Sequence, residues 1–267
     1  MAVRTAVIPA AGMGTRFLPA TRAIPKELLP IYDTPAIQFV IDEAAAAGMQ
    51  RVVIVTSRAK PSIEMYAASA STDKVAVSVV YQDSPLGLGH AISCARDAVA
   101  GEPFAVMLPD EIMGDSSLIK ALVKLYENTN KSSIGLKKVP PTEVSSYGNV
   151  GTSDTSSENV VTINQIIEKP KPAEVVSDLV IIGRYVLAPN IFDHLAAIRP
   201  SSNGELQLTD ALALLAVESQ LLGIVSDITR YDTGTPMGLL RAVIEIALGR
   251  KDIGPQLQTW LENKFRS

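Results

Sequence analysis

The feature that most constrains this chain is a short apolar run that leads directly into a glycine-rich turn with two cations. Residues 6–9 are apolar, Gly12 and Gly14 follow, and Arg16 and Lys26 lie ten residues apart. Glycine lets the backbone approach a phosphate closely, and the unpaired amides of such a turn point at the anion. Arg16 can hold phosphate oxygens bidentately, while Lys26 adds a compact charge. A buried strand that feeds this turn indicates a site for a nucleoside triphosphate.

The spacing of the two glycines excludes two common phosphate motifs. A dinucleotide-binding fingerprint would need a third glycine at the position of Phe17, and a Walker loop would need a Gly-Lys-Ser/Thr triplet after four intervening residues. A tight strand-to-helix turn with surface Arg and Lys stays open for Gly12 and Gly14 taken by themselves. A dinucleotide-dependent oxidoreductase is therefore the weakest functional hypothesis for this chain.

Short motifs in a fixed order continue over nearly the whole chain. They occupy residues 12–16, 18–22, 24–27, 87–91, 108–110, 147–148, 168–170, 183–185, 205–210 and 231–234. Together they resemble the sugar-1-phosphate nucleotidyltransferases, specifically the bacterial UTP–glucose-1-phosphate uridylyltransferases. The resemblance implies transfer of a uridylyl group from UTP to glucose 1-phosphate, with UDP-glucose and pyrophosphate as products and Mg²⁺ as cofactor.

Composition excludes several other classes of function. The chain has 267 residues, of which 47% are hydrophobic and 19% charged, so it can bury a substantial core in one α/β domain. The net charge is −4 and no basic stripe for nucleic acid is present. Cys94 is the single cysteine, which excludes a disulfide within the chain. No apolar stretch reaches the roughly 20 residues of a membrane span. We expect a cytoplasmic enzyme without nucleic-acid or membrane partners.

Alternating strand and helix patterns predict a Rossmann-like, doubly wound α/β fold with a mostly parallel sheet. The strands of the first half are expected at residues 5–9, 51–56, 75–82 and 104–108. Candidate ligand-binding turns follow the first, third and fourth of these strands. Because ligands of open α/β sheets bind at the carboxyl ends of the strands, these turns should meet at one site.

The pattern becomes rich in β-structure after residue 136. We interpret residues 137–234 as an inserted β-rich lobe that contributes the sugar-binding part of a single domain spanning residues 1–267. Residues 1–136 then form the nucleotide-binding core, and residues 235–267 form the C-terminal helices.

Helical periodicity returns towards the C-terminus. Residues 209–219, 236–248 and 255–265 carry apolar residues at helical spacing, and Thr209 and Thr235 are the expected N-caps of the first two helices. The apolar face of the last helix is expected to pack on the body of the protein or on another subunit. The active form is expected to be a homo-oligomer, either a dimer or a tetramer.

Two aspartates are the candidate metal ligands. Asp110 follows the apolar residues 104–109, and Asp232 lies just before a predicted helix. Mg²⁺ prefers a few carboxylates, with phosphate oxygens and water completing its octahedron. By pattern alone each aspartate would be a turn or helix-flanking residue, whereas the resemblance assigns both to the metal. Glu111, next to Asp110, is either an outer partner of that ligand or a solvated charge.

The resemblance distributes the substrates over the remaining motifs. Lys26 at the α-phosphate and Arg16 at the leaving phosphates are the expected catalytic residues. The implied nucleotide-binding residues are Ala10, Ala11, Gly12, Gly14, Thr15, Gln82, Gly87 and Asp110, and the implied sugar-phosphate-binding residues are Gly148, Glu168, Lys169 and Gly183. In this scheme Lys169 binds the sugar phosphate and Glu168 accepts hydrogen bonds from sugar hydroxyls. Without the resemblance, the Glu168-Lys169 pair would be expected to be solvated.

Two alternatives to this function stay open. The same chemistry with another substrate pair, dTTP and glucose 1-phosphate above all, differs by one methyl group, which discriminates by only about 1–3 kcal/mol. A catalytically silent regulator that binds nucleotide sugars would be expected to lack a metal carboxylate or the phosphate lysine. Lys26, Asp110 and Asp232 are all present, which favours an enzyme.

Overall fold

The computed structural model describes residues 2–157, 159–201 and 204–266. Its strands are β1 (Thr5–Pro9), β2 (Pro30–Ile31), β3 (Thr34–Pro35), β4 (Arg51–Thr56), β5 (Ala76–Tyr81), β6 (Phe104–Met107), β7 (Glu111–Met113), β8 (Ser132–Lys138), β9 (Gly148–Ser157), β10 (Val160–Glu168), β11 (Leu179–Leu187), β12 (Leu221–Val225) and β13 (Arg230–Asp232). Its α-helices are α1 (Ala36–Ala46), α2 (Pro61–Ala70), α3 (Leu88–Cys94), α4 (Arg96–Val99), α5 (Ser117–Thr129), α6 (Ile191–Ala197), α7 (Leu208–Val217), α8 (Pro236–Leu248) and α9 (Gly254–Arg266).

A nine-stranded sheet runs through the protein in the order β5-β4-β1-β6-β11-β8-β12-β10-β9. The four strands predicted for the first half are parallel neighbours in it. The prediction of a mostly parallel sheet does not hold beyond β6, where the sheet is mixed: β12 runs parallel to β8, but β11 runs antiparallel to both of its neighbours and β10 runs antiparallel to β12 and β9. Strands separated by only two residues, as β9 and β10 are, must be antiparallel, and an apolar run does not reveal its direction.

The β-rich second half extends the same sheet. Three of its strands, β8, β11 and β12, lie inside the sheet, while β9 and β10 form its far edge. A further pairing of β11 with β9 joins that edge back to the centre. The candidate sugar-binding strands therefore belong to the same hydrogen-bonded sheet as the nucleotide-binding half.

Helices cover both faces of the sheet. Alternate residues of β1 point to opposite sides, so Val7 packs in one core cluster and Ile8 in the other. The first cluster includes apolar residues of α3, α6 and α7, and the second includes those of α1 and α5. Helices on both faces were predicted from the alternation of strand and helix patterns.

The ends of the last helices follow local signals in part. Thr235 is the N-cap of α8, where its Oγ1 accepts a hydrogen bond from the Gly238 amide at 3.1 Å. Thr209 is not a cap, because α7 begins one residue earlier and Gln207 takes that position. The helix α9 packs on α8 and leaves Trp260 exposed. In the described part of the chain, no helix combines the length and apolar character needed to cross a membrane.

Candidate active site

A cavity of about 540 Å³ opens beside the carboxyl ends of β1 and β6. It brings together most of the residues selected from the sequence, namely Ala11, Gly12, Gly14, Thr15, Lys26, Gln82, Gly87, Asp110, Glu168 and Lys169. These residues come from segments that are far apart in the chain. The geometry expected from the carboxyl-end rule for α/β sheets is therefore present.

A smaller cavity of about 150 Å³ adjoins the first one. Gly148, Tyr147 and Thr209 line it, and Glu168 borders both cavities. The backbone of Lys169 has φ +44, in the left-handed region that few residues other than glycine adopt, and its amide donates to the Tyr147 carbonyl at 3.1 Å. This bond fixes the turn after β10 against the turn before β9.

The remaining selected residues lie around these cavities. Ala10 is buried at the end of β1, and its amide donates to the Val55 carbonyl at 2.7 Å. Arg16 is exposed at the rim, with Nη1 3.4 Å from the Gly234 carbonyl. Gly183 is buried beneath Leu108. Asp232, on β13, lines neither of these two cavities but a neighbouring outer one.

A two-stranded sheet brings the two candidate metal ligands together. β13 pairs antiparallel with β7 so that Asp232 lies opposite Glu111, the neighbour of Asp110. The Thr233 amide and its Oγ1 both donate to the Asp110 carbonyl, at 2.8 and 3.0 Å. The carboxylates are thereby placed side by side although 122 positions separate them in the chain.

Glycine at position 234 leaves space between these carboxylates. A Cβ at this position would lie 3.0 Å from Asp110 Oδ2 and 3.0 Å from Asp232 Oδ1. The two oxygens are therefore no more than twice that distance apart. The Gly234 amide also donates to Asp232 Oδ1 at 2.9 Å, which orients that carboxylate.

Lys26 is paired with one of these carboxylates. Its Nζ lies 2.5 Å from Asp110 Oδ2. Burial acts to lower the pKa of Lys26, but the charge of Asp110, its hydrogen bond to Lys26 and the charge of Glu27 together raise that pKa above its ordinary value. Burial likewise acts to raise the pKa of Asp110, but the charge and hydrogen bond of Lys26, a backbone hydrogen bond and the Arg16 charge together bring that pKa below its ordinary value. Both groups are therefore charged at neutral pH.

A second lysine, Lys60, was not selected from the sequence and binds the backbone carbonyls of the glycine-rich turn. Lys60 Nζ donates to the carbonyls of Ala10 and Gly12 at 2.8 and 2.5 Å and lies 3.0 Å from Glu27 Oε2. Burial raises the pKa of Glu27 and lowers that of Lys60, and the opposite charge of the partner works against both shifts. The position of Lys60 shortly after β4, at the same sheet edge as the turn, is the signal that could have identified it.

A buried arginine holds the turn that carries Asp110. Arg184 on β11 is fully buried and forms a bidentate pair with Glu43 of α1, at 2.9 and 2.6 Å. Its remaining N–H groups donate to the carbonyls of Leu108 at 3.2 Å and of Glu111 at 2.7 Å. Because these carbonyls lie on both sides of Asp110, Arg184 fixes the backbone from which that carboxylate projects.

The wall opposite the carboxylates contains an amide side chain. Gln82 is buried, and its Nε2 donates to the Gly87 carbonyl at 3.0 Å and lies 2.9 Å from His90 Nδ1. Gly87 has φ +94, and a Cβ there would lie 2.7 Å from the Leu206 carbonyl oxygen. Glycine is thus required for the close approach of this loop to the chain before α7, and His90 acts as a partner that orients Gln82.

Known proteins are similar in sequence to this chain over nearly its whole length. A family model described as nucleotidyl transferase matches residues 5–247. The chain belongs to the nucleotidyl transferase family. It is 39% identical to a UTP–glucose-1-phosphate uridylyltransferase of Bacillus subtilis, over 99% of this chain and 96% of that relative. It is 37% identical to a protein of the same description from Staphylococcus epidermidis, over 97% of this chain and 98% of that relative.

Solved structures of the nucleotidyl transferase family share the fold. A UDP-glucose pyrophosphorylase complexed with UDP-glucose has a TM-score of 0.87 and 36% identity, covering 93% of this chain and 100% of that chain. The UTP-bound enzyme of Acinetobacter baumannii has a TM-score of 0.87 and 32% identity, covering 97% and 98%. The resemblance found in the ordered motifs is confirmed, and the mixed α/β fold is that of a nucleotidyltransferase enzyme.

Proposed function

We propose that this protein makes UDP-glucose and pyrophosphate from UTP and glucose 1-phosphate in a Mg²⁺-dependent reaction. The observation that carries the proposal is the junction of the two cavities. Lys26 and Asp110 line the larger cavity, and Glu168 borders both. If the nucleotide bound in the larger cavity and the sugar phosphate in the smaller one, the phosphates of both would meet near Lys26 and Asp110. The substrates in the names and complexes of the relatives support the same assignment.

The nucleotide is assigned to the larger cavity. Because Gln82 Nε2 is held by the Gly87 carbonyl and His90, Gln82 Oε1 is the atom that would accept the N3–H of uracil. The backbone of the glycine-rich turn would contact the triphosphate, and Lys60 stiffens that turn through its carbonyls. Arg16 at the rim would hold the β- and γ-phosphates.

The sugar phosphate is assigned to the smaller cavity. Thr209 Oγ1 is buried there and has no hydrogen-bond partner among the described residues, so a sugar hydroxyl would satisfy it. Glu168 would accept hydrogen bonds from further hydroxyls, and the Gly148 backbone would approach the ring. Lys169 Nζ lies 3.4 Å from Glu168 Oε1, and because its side chain is 60% exposed it could leave this ion pair and bind the phosphate. Gly183 would act indirectly, by letting Leu108 pack over it.

The reaction needs no covalent intermediate. An oxygen of the sugar phosphate attacks the α-phosphorus of UTP, the α–β bridging bond breaks, and pyrophosphate leaves with the bonding electrons. The protein's contribution is to align the two anions and to stabilise the charge that develops between them. We assign that role at the α-phosphate to Lys26, because Asp110 keeps it protonated and holds its Nζ beside the cavity that Lys26 lines.

The carboxylates of Asp110 and Asp232 fit a divalent cation. Both face the space above Gly234 that a Cβ would fill. Within residues 2–157, 159–201 and 204–266, no group of three or more His, Cys, Asp or Glu could form a complete protein cage. Two carboxylates suit Mg²⁺, which keeps water and phosphate oxygens as its other ligands. When bound, Mg²⁺ would neutralise charge on the reacting phosphates.

Replacing Gly234 by alanine tests this metal assignment. The new methyl group would lie against both carboxylates, and such overpacking costs about 1–3 kcal/mol, so we expect the Mg²⁺ concentration for half-maximal activity to rise about tenfold. Activity would be measured against Mg²⁺ concentration at saturating substrates. Gly249→Ala is the matched control, because φ there is −74 and the nearest atom to its Cβ would be 3.6 Å away. An unchanged Mg²⁺ requirement in Gly234→Ala would contradict the assignment.

The substrate assignment is tested by pyrophosphate release from purified protein. UTP, dTTP, CTP, ATP and GTP would each be combined with the 1-phosphates of glucose, galactose, mannose and N-acetylglucosamine. We expect UTP with glucose 1-phosphate to give the highest kcat/KM. Preference for dTTP would keep the mechanism and change the nucleotide. Folded protein that binds nucleotide but releases no pyrophosphate with any pair would refute the enzymatic proposal in favour of a silent regulator.

A further inference from the structure

One arginine contacts both halves of the proposed site without lining either of the two substrate cavities described above. Arg230 lies on β13, two positions before Asp232, so the two side chains share a face of that strand. Its side chain is only 7% exposed. A long cation buried to this degree must be held by specific partners, because an unpaired buried charge is strongly unfavourable.

The first partner of Arg230 belongs to the carboxylate side of the site. Arg230 Nε lies 2.9 Å from Glu111 Oε2, and Arg230 Nη2 lies 4.0 Å from Asp232 Oδ2. Glu111 Oε2 accepts no hydrogen bond of acceptable geometry from the described residues, so its contact with Arg230 Nε is an ion pair. Since Asp110 directly precedes β7 and Asp232 ends β13, the guanidinium braces the two-stranded sheet that positions both candidate metal ligands.

The second partner belongs to the sugar side. Arg230 Nη2 donates to the Tyr147 hydroxyl at 2.9 Å, and the guanidinium carbon lies 4.8 Å from the centre of the Tyr147 ring. Tyr147 precedes Gly148, and its carbonyl accepts the Lys169 amide. By holding Tyr147, Arg230 therefore also restrains the backbone positions of Gly148 and Lys169, which are assigned to the sugar phosphate.

We propose that Arg230 is a positioning residue that couples the binding site of the sugar phosphate to the geometry of the Asp110 and Asp232 carboxylates. This inference rests on the proposed function. A planar guanidinium can pair with Glu111, donate to the Tyr147 hydroxyl and lie over the ring at the same time. A lysine ammonium at this position keeps the charge but cannot make all three contacts. The attacking phosphate is aligned with the Asp110 and Asp232 carboxylates only when Arg230 holds both Glu111 and Tyr147 in place.

The test compares ligands that fill one cavity or both. In Arg230→Lys, we expect the Kd of UDP-glucose and the KM of the sugar 1-phosphate to rise by about tenfold, as for loss of a charge-assisted hydrogen bond. The Kd of UMP, which fills only the nucleotide cavity, is expected to change less than twofold. Calorimetry gives both Kd values without turnover, and circular dichroism confirms that the variant is folded.

A second variant and a control test whether the effect of Arg230→Lys acts through Tyr147. Tyr147→Phe removes the hydroxyl and keeps the ring, and combining it with Arg230→Lys should weaken UDP-glucose binding by less than the product of the two single effects, because both act through one contact. Arg241→Lys is the matched control, since Arg241 lines an outer cavity with Arg230 but is exposed on α8. We expect it to bind both ligands as the wild type does.

The outcomes separate this inference from the proposed function. Equal weakening of UMP and UDP-glucose in Arg230→Lys, or independent effects of the two substitutions, would overturn the positioning role and leave the proposed function intact. Wild-type protein that bound UMP and UDP-glucose equally well would overturn both, because the sugar would then contribute nothing to binding. If Arg230→Lys did not fold, Tyr147→Phe alone would decide, with weakening confined to UDP-glucose as the supporting result.

Discussion

Asp110→Asn is expected to lower kcat by about 10²–10³-fold, the range found when one preorganised electrostatic group is removed from an active site. The substitution keeps the shape of the side chain and removes its charge. It would deprive the proposed metal of one of its two protein ligands and would also remove the partner that raises the pKa of Lys26. Pyrophosphate release at saturating substrates, repeated over a range of Mg²⁺ concentrations, measures the loss.

Asp193→Asn is a matched control for this substitution. Its carboxylate is 76% exposed and paired with Arg96 at 3.3 Å, so removal of its charge should leave kcat unchanged. Asp232→Asn should resemble Asp110→Asn, because both carboxylates border the same space above Gly234. Turnover of Asp110→Asn within threefold of the wild type would show that this carboxylate is not a ligand of the reacting complex.

Local sequence signals were sufficient for the part of the site that follows directly from a strand. β1 and β4 have the predicted bounds, Thr5–Pro9 and Arg51–Thr56, since each is a short apolar run ended by a turn. The turn after β1 and the loop before α3 then line one cavity, as expected for the carboxyl ends of parallel strands. The positions of Lys26, Gln82 and Asp110 needed only this rule and the order of the motifs.

The contacts that support these residues depend on long-range pairing, which a sequence pattern does not encode. Arg184 and Glu43 are 141 positions apart, and Lys60 is 33 positions from Glu27. Strand direction in the second half is set by connections and not by apolar runs. One signal was visible nevertheless. Arg184 is the single charged residue in the otherwise mainly apolar β11, and such a residue must find a partner in the core.

Arg184→Met is expected to lower the free energy of unfolding by about 3–5 kcal/mol, the cost of breaking a buried ion pair by removing one partner. Methionine fills similar space but leaves the Glu43 carboxylate, whose side chain is 6% exposed, without its counter-charge. It also removes the donors to the carbonyls of Leu108 and Glu111. Chemical denaturation followed by circular dichroism would report the change as a lower midpoint with an unchanged slope.

Two further variants show whether the loss comes from burial of the unpaired charge. Arg51→Met breaks the Arg51–Glu102 pair, which is about 40% exposed on both sides, and should cost less than about 1 kcal/mol. Glu43→Leu combined with Arg184→Met removes both charges and should recover part of the stability lost in the single variant. Even so, the turn at Asp110 would lack the hydrogen bonds that Arg184 donates to it, so we expect the double variant to fold but to have a lower kcat than the wild type. A double variant with wild-type kcat would mean that the turn holds its shape without Arg184.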